Sequence, residues 1–379
     1  MGLFRSKTRS IVGLDIEPGF VAAAEMTNGG RPMLTRAATM TLQPGLFHDG
    51  EVMEVDGLAE RLKAFFTEQK LPKRVRLGVA NQRVVVRVFE LPAIENPEEL
   101  EVAVRFQAQE ELPMPLDEAV MDHRVLDRVV TGNGQRMRVL VVAVRRDTVE
   151  HLLGAVRKAG LTAEIVDLAA FAVVRALYEP FVPPAAGAAV GLGAGESAPA
   201  SVGGAAGAPA VLYCYVGGVT NLAVAAGPTC LFNRVLPNGF ESMTAALAER
   251  TGLTLEHARQ WLGHVGLERD VENIEGDRDI VQEARLVLSN GAKRIVDEIR
   301  LSLEYYAGAV PDARRVERVV MAGPGIGIPG LTSQLEADLG LPAEARSFGR
   351  FEVSPGVLDA ADGSRLTVAA GLAIDEVAP

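Results

Sequence analysis

The chain has 379 residues, of which 48% are hydrophobic and 23% charged, a composition typical of a globular protein with two or three domains. Its formal net charge of −11 disfavours nucleic acid as the main partner, because a phosphate backbone requires a basic surface. No window of 18 or more uncharged apolar residues and no apolar core of a secretory signal are found, so the sequence predicts neither a membrane span nor secretion. Cys214 and Cys230 lie in apolar runs typical of reduced core cysteines, and the five histidines lack metal-ligand spacing.

The first predicted elements are two strands joined by a tight turn. SIVGLDI (10–16) and FVAAAEM (20–26) have strand character, and Glu17-Pro18-Gly19 between them is a hairpin signal. A third strand is predicted at 36–40. Apolar residues then recur at helical spacing over 58–66, which predicts an amphipathic helix with its apolar face inward.

A helix over 97–111 is predicted between pairs of strands. Asn96 is a favourable N-terminal cap, and Pro97 suits the first helical turn. Opposite its apolar stripe, this helix exposes the polar residues Glu98, Glu101, Arg105, Gln109 and Glu110. We interpret this face either as a docking surface for a partner's tail, contacted by Arg105, Gln109 and Glu110, or as a solvated helix face. A hairpin follows around Gly132-Asn133-Gly134.

The segment 184–209 differs in composition from the rest of the chain. It consists almost entirely of Ala, Gly, Pro, Ser and Val, and Glu196 is its only charged residue. Such a segment has too little apolar surface to fold, which predicts a flexible linker. We therefore place a first lobe at 1–183 and a second lobe at 210–362.

The second half repeats the pattern of the first. VLYCYVGGVTNLAVAAG (211–227) again predicts a strand, a Gly-containing turn and a strand, with Tyr215 at the position of Asp15 and Gly217 at that of Glu17. Helices are predicted at 240–251, 254–262 and about 279–308, and a strand, a Gly-rich turn and a helix at 315–340. The last predicted helix begins near Ser364, and we expect residues 363–379 to return to the first lobe.

Two halves that each begin with a Gly-containing hairpin resemble the actin-like α/β fold of sugar kinases, Hsp70 and actin. In that fold, two related lobes close on a nucleotide, and the two hairpin turns hold its phosphates through backbone N–H groups. The fold class predicted by this resemblance is therefore α/β, with duplicated actin-like lobes.

Within this fold, the chain resembles the PilM family of type IV pilus assembly proteins, which are relatives of the cell-division protein FtsA. The matching stretches extend over nearly the whole chain: GLDI (13–16), ELP (90–92), QEELPMPLDEAVMDHRVL (109–126), NRVLPNGFESMTAALAERTGLTLEHA (233–258), EIRLSLEYY (298–306) and AGPGIGIPGL (322–331). The segment of about 81–145 fits the small α+β subdomain that this family shares with FtsA.

The resemblance implies ATP and magnesium as ligands and a membrane protein as partner. The residues implied at the nucleotide are Asp15, Gly217, Gly218, Thr220, Gly239, Gly323, Gly325 and Gly327. The implied partner is the N-terminal cytoplasmic tail of a single-span, PilN-type pilus protein, bound in a groove beside the inserted subdomain. The protein would then be cytoplasmic and held at the inner face of the cell membrane through that partner.

The departures from the family concentrate at the nucleotide: they are Glu17, Pro18, Ala22, Tyr215, Arg259, Phe240 and Leu262. A carboxylate at position 17 would repel a phosphate by about 4 kcal/mol at 4 Å and an effective dielectric constant near 20. Pro18 also removes a backbone N–H from the first turn. These departures predict that the fold persists while the ATP site has decayed.

For the remaining site residues, a ligand role and a structural role are both open. Asp15 either holds a hydrated magnesium ion or accepts hydrogen bonds from backbone N–H groups in its turn. Glu17 is interpreted as a solvated turn residue. Gly323, Gly325 and Gly327 require no more than a tight strand-to-helix turn.

The sequence favours a scaffold over an enzyme, because phosphoryl transfer depends on positioning and charge stabilisation that these turns lack. The predicted function is a non-catalytic scaffold of the inner-membrane platform of a type IV pilus or a related secretion machine. The alternative is a nucleotide-binding, FtsA-like polymerising protein of division or cell shape. A sugar or acid kinase of the same fold is disfavoured, because it would need intact phosphate turns.

Overall fold

The computed structural model describes residues 10–28, 31–131, 134–179, 209–349, 351–359 and 361–375. The predicted linker at 184–209 lies outside the described residues except for Pro209. The strands are β1 (Ser10–Glu17), β2 (Phe20–Thr27), β3 (Met33–Thr41), β4 (Phe47–His48), β5 (Glu51–Val52), β6 (Arg74–Val79), β7 (Val85–Pro92), β8 (Ala119–Thr131), β9 (Gly134–Arg145), β10 (Thr162–Leu168), β11 (Ala210–Val216), β12 (Thr220–Ala226), β13 (Thr229–Leu236), β14 (Val316–Ala322), β15 (Ala343–Ala345) and β16 (Glu352–Val353).

The helices agree closely with the periodicity of the sequence. They are α1 (Val55–Glu68), α2 (Pro97–Glu111), α3 (Arg146–Lys158), α4 (Ala169–Leu177), α5 (Phe240–Thr251), α6 (Leu255–Val265), α7 (Arg278–Ala309), α8 (Leu331–Leu339) and α9 (Thr367–Ala373). The predicted helix at 97–111 is confirmed, and the Asn96 side chain caps it by accepting the Glu98 N–H at 2.9 Å. Among the described helices, none combines the length and the apolar character that crossing a membrane would need.

Two sheets of the described chain repeat one topology. The first has the strand order β10-β6-β1-β2-β3-β16, and the second has the order β13-β12-β11-β14-β15. In each, an antiparallel meander of three strands (β1 to β3, β11 to β13) continues into parallel strands on the far side of its first strand. We call the first sheet with its helices the first lobe, and the second sheet with its helices the second lobe.

Helices α4 and α9 lie against each other on one side of the first sheet, and α4 also contacts β12 and β13 of the second. Their contact is a close approach of backbones, because a Cβ atom on Gly371 would lie 1.9 Å from the Ala172 carbonyl oxygen. A Cβ on Gly13 of β1 would likewise lie 1.8 Å from the Ala369 carbonyl oxygen. Small residues at these positions therefore set the spacing of this layer.

The return to the first lobe begins before the predicted helix at 363–379. Strand β16 pairs in parallel with β3, so the boundary predicted at residue 362 falls after a segment that already belongs to the first sheet. Helix α9 then packs on β1, β2 and β6. Residues 376–379 lie outside the described part of the chain.

A third sheet, with the strand order β7-β9-β8, carries α2 on one face. Its α2 face buries Phe89, Met137, Val139 and Val141 against Leu100, Val104 and Ala108 of the helix. We call this sheet with α2 the inserted subdomain, because the chain enters it from β6 and leaves it into α3.

Candidate functional site

The two hairpin turns of the lobes are in direct contact. The β1–β2 turn consists of Pro18 and Gly19, and the β11–β12 turn runs from Gly217 to Val219. A Cβ atom on Gly218 would lie 2.5 Å from the Pro18 carbonyl oxygen, so only a glycine permits this approach. The two turns are therefore packed directly against each other.

Glu17 lies between the turns and is buried, with 2% of its surface exposed. One of its carboxyl oxygens, Oε2, accepts a hydrogen bond from the Val219 backbone N–H at 3.2 Å. Burial raises the pKa of this carboxyl group to about 7, although hydrogen bonding from the Val219 and Gly218 backbones acts in the opposite direction. The interpretation of Glu17 as a solvated turn residue is wrong, because the second lobe covers it.

Asp15 is equally buried on β1, with 2% of its surface exposed. Its Oδ2 atom has no hydrogen-bond partner among the described residues, so that oxygen does not accept the backbone hydrogen bond that was expected of a turn aspartate. Burial raises its pKa well above the usual range, and the charge of Glu17 acts in the same direction. The structure therefore holds two carboxyl groups close together in a site that disfavours their ionisation.

Tyr215, at the position of Asp15 in the second hairpin, is fully buried beside these acids. Its hydroxyl oxygen has no hydrogen-bond partner among the described residues. Burial is the main cause that raises the pKa of this hydroxyl well above 10, and the charges of Asp15 and Glu17 act in the same direction. No group of three His, Cys, Asp or Glu suited to a metal ion is found in the described part of the chain. The two buried carboxyl groups of Asp15 and Glu17 therefore do not belong to such a group.

Gly217, Gly218, Thr220 and Gly239 are brought together around the second turn. The Thr220 hydroxyl donates to the Asn238 carbonyl oxygen at 2.5 Å, so it is engaged within its own lobe. A Cβ atom on Gly239 would lie 2.5 Å from the Gly217 carbonyl oxygen, and the Phe240 N–H donates to that oxygen at 2.7 Å. The start of α5 therefore packs against the β11–β12 turn and donates a hydrogen bond to it.

The three glycines after β14 differ in their surroundings. A Cβ atom on Gly323, which has a φ of 84°, would lie 2.8 Å from the Val216 carbonyl oxygen. A Cβ on Gly325 would lie 2.6 Å from the Cβ atom of Val216, whereas a Cβ on Gly327 would meet nothing within 4 Å. Gly323 and Gly325 thus pack against the end of β11, and close packing does not require a glycine at position 327.

A buried ion pair beside the turns was missed by sequence reasoning. Arg259 of α6 and Glu241 of α5 pair at 2.9 Å, with only 11% and 10% of their side chains exposed. The Glu241 side chain also covers the first turn, since a Cβ on Gly19 would lie 2.6 Å from it. Leu262, one helical turn after Arg259, is fully buried in the core. In the sequence, Glu241 at the second position of α5 was the available signal for this pair. It does not reveal the pair, because the partner, Arg259, lies on the next helix.

A groove of about 770 Å³ lies between the first lobe and the inserted subdomain. Its walls are strands β8 and β9, strand β10, helix α4, and the turn before β13 in the second lobe. The apolar lining includes Val120, Leu140, Val142, Val144, Ile165 and Phe171. Strands β8 and β10 are both edge strands of their described sheets. The apolar residues along 119–131 and 162–168 were the sequence signal for two strands, but they do not reveal that the two strands face one groove.

The predicted partner residues on α2 lie away from this groove. Helix α2 covers the face of the third sheet that carries Met137, Val139 and Val141, whereas the groove is lined by the alternate residues of β9. Arg105, Gln109 and Glu110 are exposed and do not line the groove, and Arg105 pairs with Glu101 at 2.7 Å. The outer face of α2 also exposes Val102 (67%) and Phe106 (64%), which the sequence reading did not single out.

Comparison with known proteins matches this architecture to one family. The sequence model of the type IV pilus assembly protein PilM matches residues 13–191. A solved PilM-PilN type IV pilus biogenesis complex contains a chain that is 25% identical; the match covers 97% of this chain and 98% of that one, with a TM-score of 0.73.

Two more distant structures share the fold. The ethanolamine utilization protein EutJ from Carboxydothermus hydrogenoformans is 13% identical, with a TM-score of 0.51 over 96% of this chain and 89% of that one. MreB5 of Spiroplasma citri, bound to AMPPNP, is 14% identical, with a TM-score of 0.50 over 96% and 95% of the two chains. The predicted actin-like α/β fold is confirmed, and the predicted resemblance to the PilM family of type IV pilus assembly proteins is confirmed by the family model and by the PilM-PilN complex.

Proposed function

We propose that this chain is a non-catalytic scaffold of the inner-membrane type IV pilus platform, and that it binds the N-terminal cytoplasmic tail of a PilN-type, single-span partner. The observation that carries this proposal is the groove between the edge strands β8 and β10. The match to the PilM family model and the likeness to a chain of a PilM-PilN complex support the class of partner. The chain would then be a cytoplasmic protein that reaches the membrane through its partner.

The groove suits an extended peptide. An edge strand presents backbone N–H and C=O groups that can pair with an added strand. The walls offer apolar side chains on both sides, Val120 and Val142 from the inserted subdomain and Ile165 from β10. Charged groups at Asp122 and Arg124 lie on the same face of β8 and supply polar contacts at the groove. This combination of backbone pairing and apolar pockets gives affinity and sequence selectivity together.

The proposal of a decayed nucleotide site is supported by the position of Glu17. Its carboxyl group lies against the turn that would hold phosphate, and Pro18 contacts Gly218 across the same space. Phosphoryl transfer also needs a cation and charged groups aligned on the phosphates. We therefore propose that the scaffold acts without binding or hydrolysing ATP.

A titration of the protein with a synthetic tail peptide tests the scaffold proposal. Val120 of β8 is 41% exposed, so Val120→Asp should leave the fold intact and weaken peptide binding roughly tenfold or more by placing a carboxylate in the apolar groove. The matched control is Val102→Asp on the outer face of α2, which should bind as the wild type does. The reverse pattern would place the tail on α2, near Arg105, Gln109 and Glu110, and would refute the groove.

The nucleotide proposal is tested separately by calorimetry with MgATP. No heat of binding is expected at millimolar concentration. Binding in the micromolar range that weakens in Asp15→Ala would show that the site is intact and that Glu17 moves aside.

A further inference from the structure

We infer that Glu17 is an internal ligand of the second hairpin turn, and that its carboxyl group holds the two lobes closed on each other with no nucleotide between them. The inference rests on the proposed loss of nucleotide binding. It adds that the Glu17 carboxyl group binds the second turn in place of the nucleotide.

The first step is that the second turn keeps the features of an anion site. Small residues at Gly217 and Gly218 leave the backbone accessible, and successive N–H groups in such a turn can converge on an oxygen. The Glu17 Oε2 atom receives the Val219 N–H at 3.2 Å, and the Gly218 backbone lies close enough to this carboxyl group to lower its pKa. A carboxyl oxygen here takes the part that a phosphate oxygen plays in the intact fold.

The second step is that the turns fit each other too closely for an accidental contact. A Cβ atom on Gly218 would lie 2.8 Å from Glu17 Oε2 and 2.5 Å from the Pro18 carbonyl oxygen. Pro18 therefore does more than remove an N–H group, because it fills the space in front of the turn. The two departures from the family at positions 17 and 18 act on the same glycine.

The third step is a second contact across the lobes that is fixed independently. The Glu241 side chain of the second lobe covers Gly19 of the first, and Arg259 holds it in place. Glu17 and Gly19 thus contact the second lobe from both sides of Pro18. The first turn is enclosed by the second lobe, as a bound ligand would be.

Hydrogen exchange of the nucleotide-free, full-length protein tests the inference. The backbone amides of Gly218 and Val219 should be protected in the wild type. Glu17→Ala removes the acceptor and should speed their exchange roughly tenfold, the effect of losing one hydrogen bond at a buried site. Glu17→Gln keeps an acceptor oxygen of the same shape and should remain protected. The matched control is Glu60→Ala, which removes an exposed acid from α1 of the same lobe.

Small-angle X-ray scattering supplies an independent readout, since opening of the lobes should increase the radius of gyration of Glu17→Ala and not of the control. If Glu17→Ala does not fold, Gly218→Ala probes the same contact from the other lobe, because its Cβ must push Pro18 away. Unprotected amides in the wild type, or unchanged exchange in a folded variant of either kind, would overturn the inference. Titration with MgATP tests the loss of nucleotide binding by itself, so the two ideas can fail separately.

Discussion

The burial of Glu17 predicts that the stability of the protein falls as the pH rises from 5 to 8. The pKa of this carboxyl group is about 7 in the folded protein and about 4.5 in the unfolded chain, so the folded state binds more protons between these values. A raised pKa stabilises the fold fully below the unfolded value, and this stabilisation is lost as the pH rises through 7. At 1.36 kcal/mol per pKa unit, the loss between pH 5 and pH 8 amounts to roughly 2 to 3 kcal/mol.

The assay is urea unfolding of the wild type and Glu17→Gln at pH 5 and pH 8. The amide does not titrate, so the variant should lose this part of the pH dependence while keeping a similar shape at the site. Asp15, whose pKa is raised mainly by burial, contributes to the pH dependence of both proteins, and Glu17→Gln removes only the smaller part of that shift that comes from the charge of Glu17. The reasoning would be refuted if both proteins lost the same free energy of unfolding between pH 5 and pH 8, because Glu17 would then ionise freely.

Four further substitutions test the packing and the ion pairs of the two lobes. Arg259→Met leaves Glu241 buried without a partner and should lower the free energy of unfolding by about 3 kcal/mol or more, whereas Arg250→Ala, which breaks an exposed pair, should cost less than about 1 kcal/mol in the same urea titration. Gly13→Ala places a methyl group inside the α9 backbone and should lower the melting temperature or abolish soluble expression; a fully stable variant would contradict the close approach. Gly263→Ala on α6 meets open space and should stabilise the protein by up to about 1 kcal/mol, measured by thermal unfolding.

Local features of this fold were predictable because their causes lie within a few residues. Asn96 and Pro97 define the start of α2 through a cap and a preset φ angle, and α2 ends at Glu111, as predicted. The repeated hairpins were recognisable from their glycines and their apolar runs. These signals were enough to indicate two related lobes.

The state of Glu17 was not predictable from its neighbours in sequence. An acid next to Pro-Gly ordinarily marks an exposed turn, and the group that buries it, Val219, lies 202 residues away. The groove was hidden for the same reason, since β8 and β10 belong to different sheets and only the packing of the inserted subdomain on the first lobe makes them face each other. Phe106 is the opposite case. An apolar residue on a helix is usually assigned to the core, yet Phe106 is exposed.

The strand β16 and the helix α9 have a consequence for the order in which the protein can fold on the ribosome. Both complete the first sheet, yet they are synthesised after the whole of the second lobe. The Asn28 side chain, for example, donates to the Ala373 carbonyl oxygen at 2.9 Å across 345 residues. Contacts of such long sequence separation form slowly, because a large loop must close first. The nascent first lobe therefore exposes the apolar faces of β1 and α4 until about residue 375 has emerged, while the second sheet, whose strands run from 210 to 345, can assemble earlier.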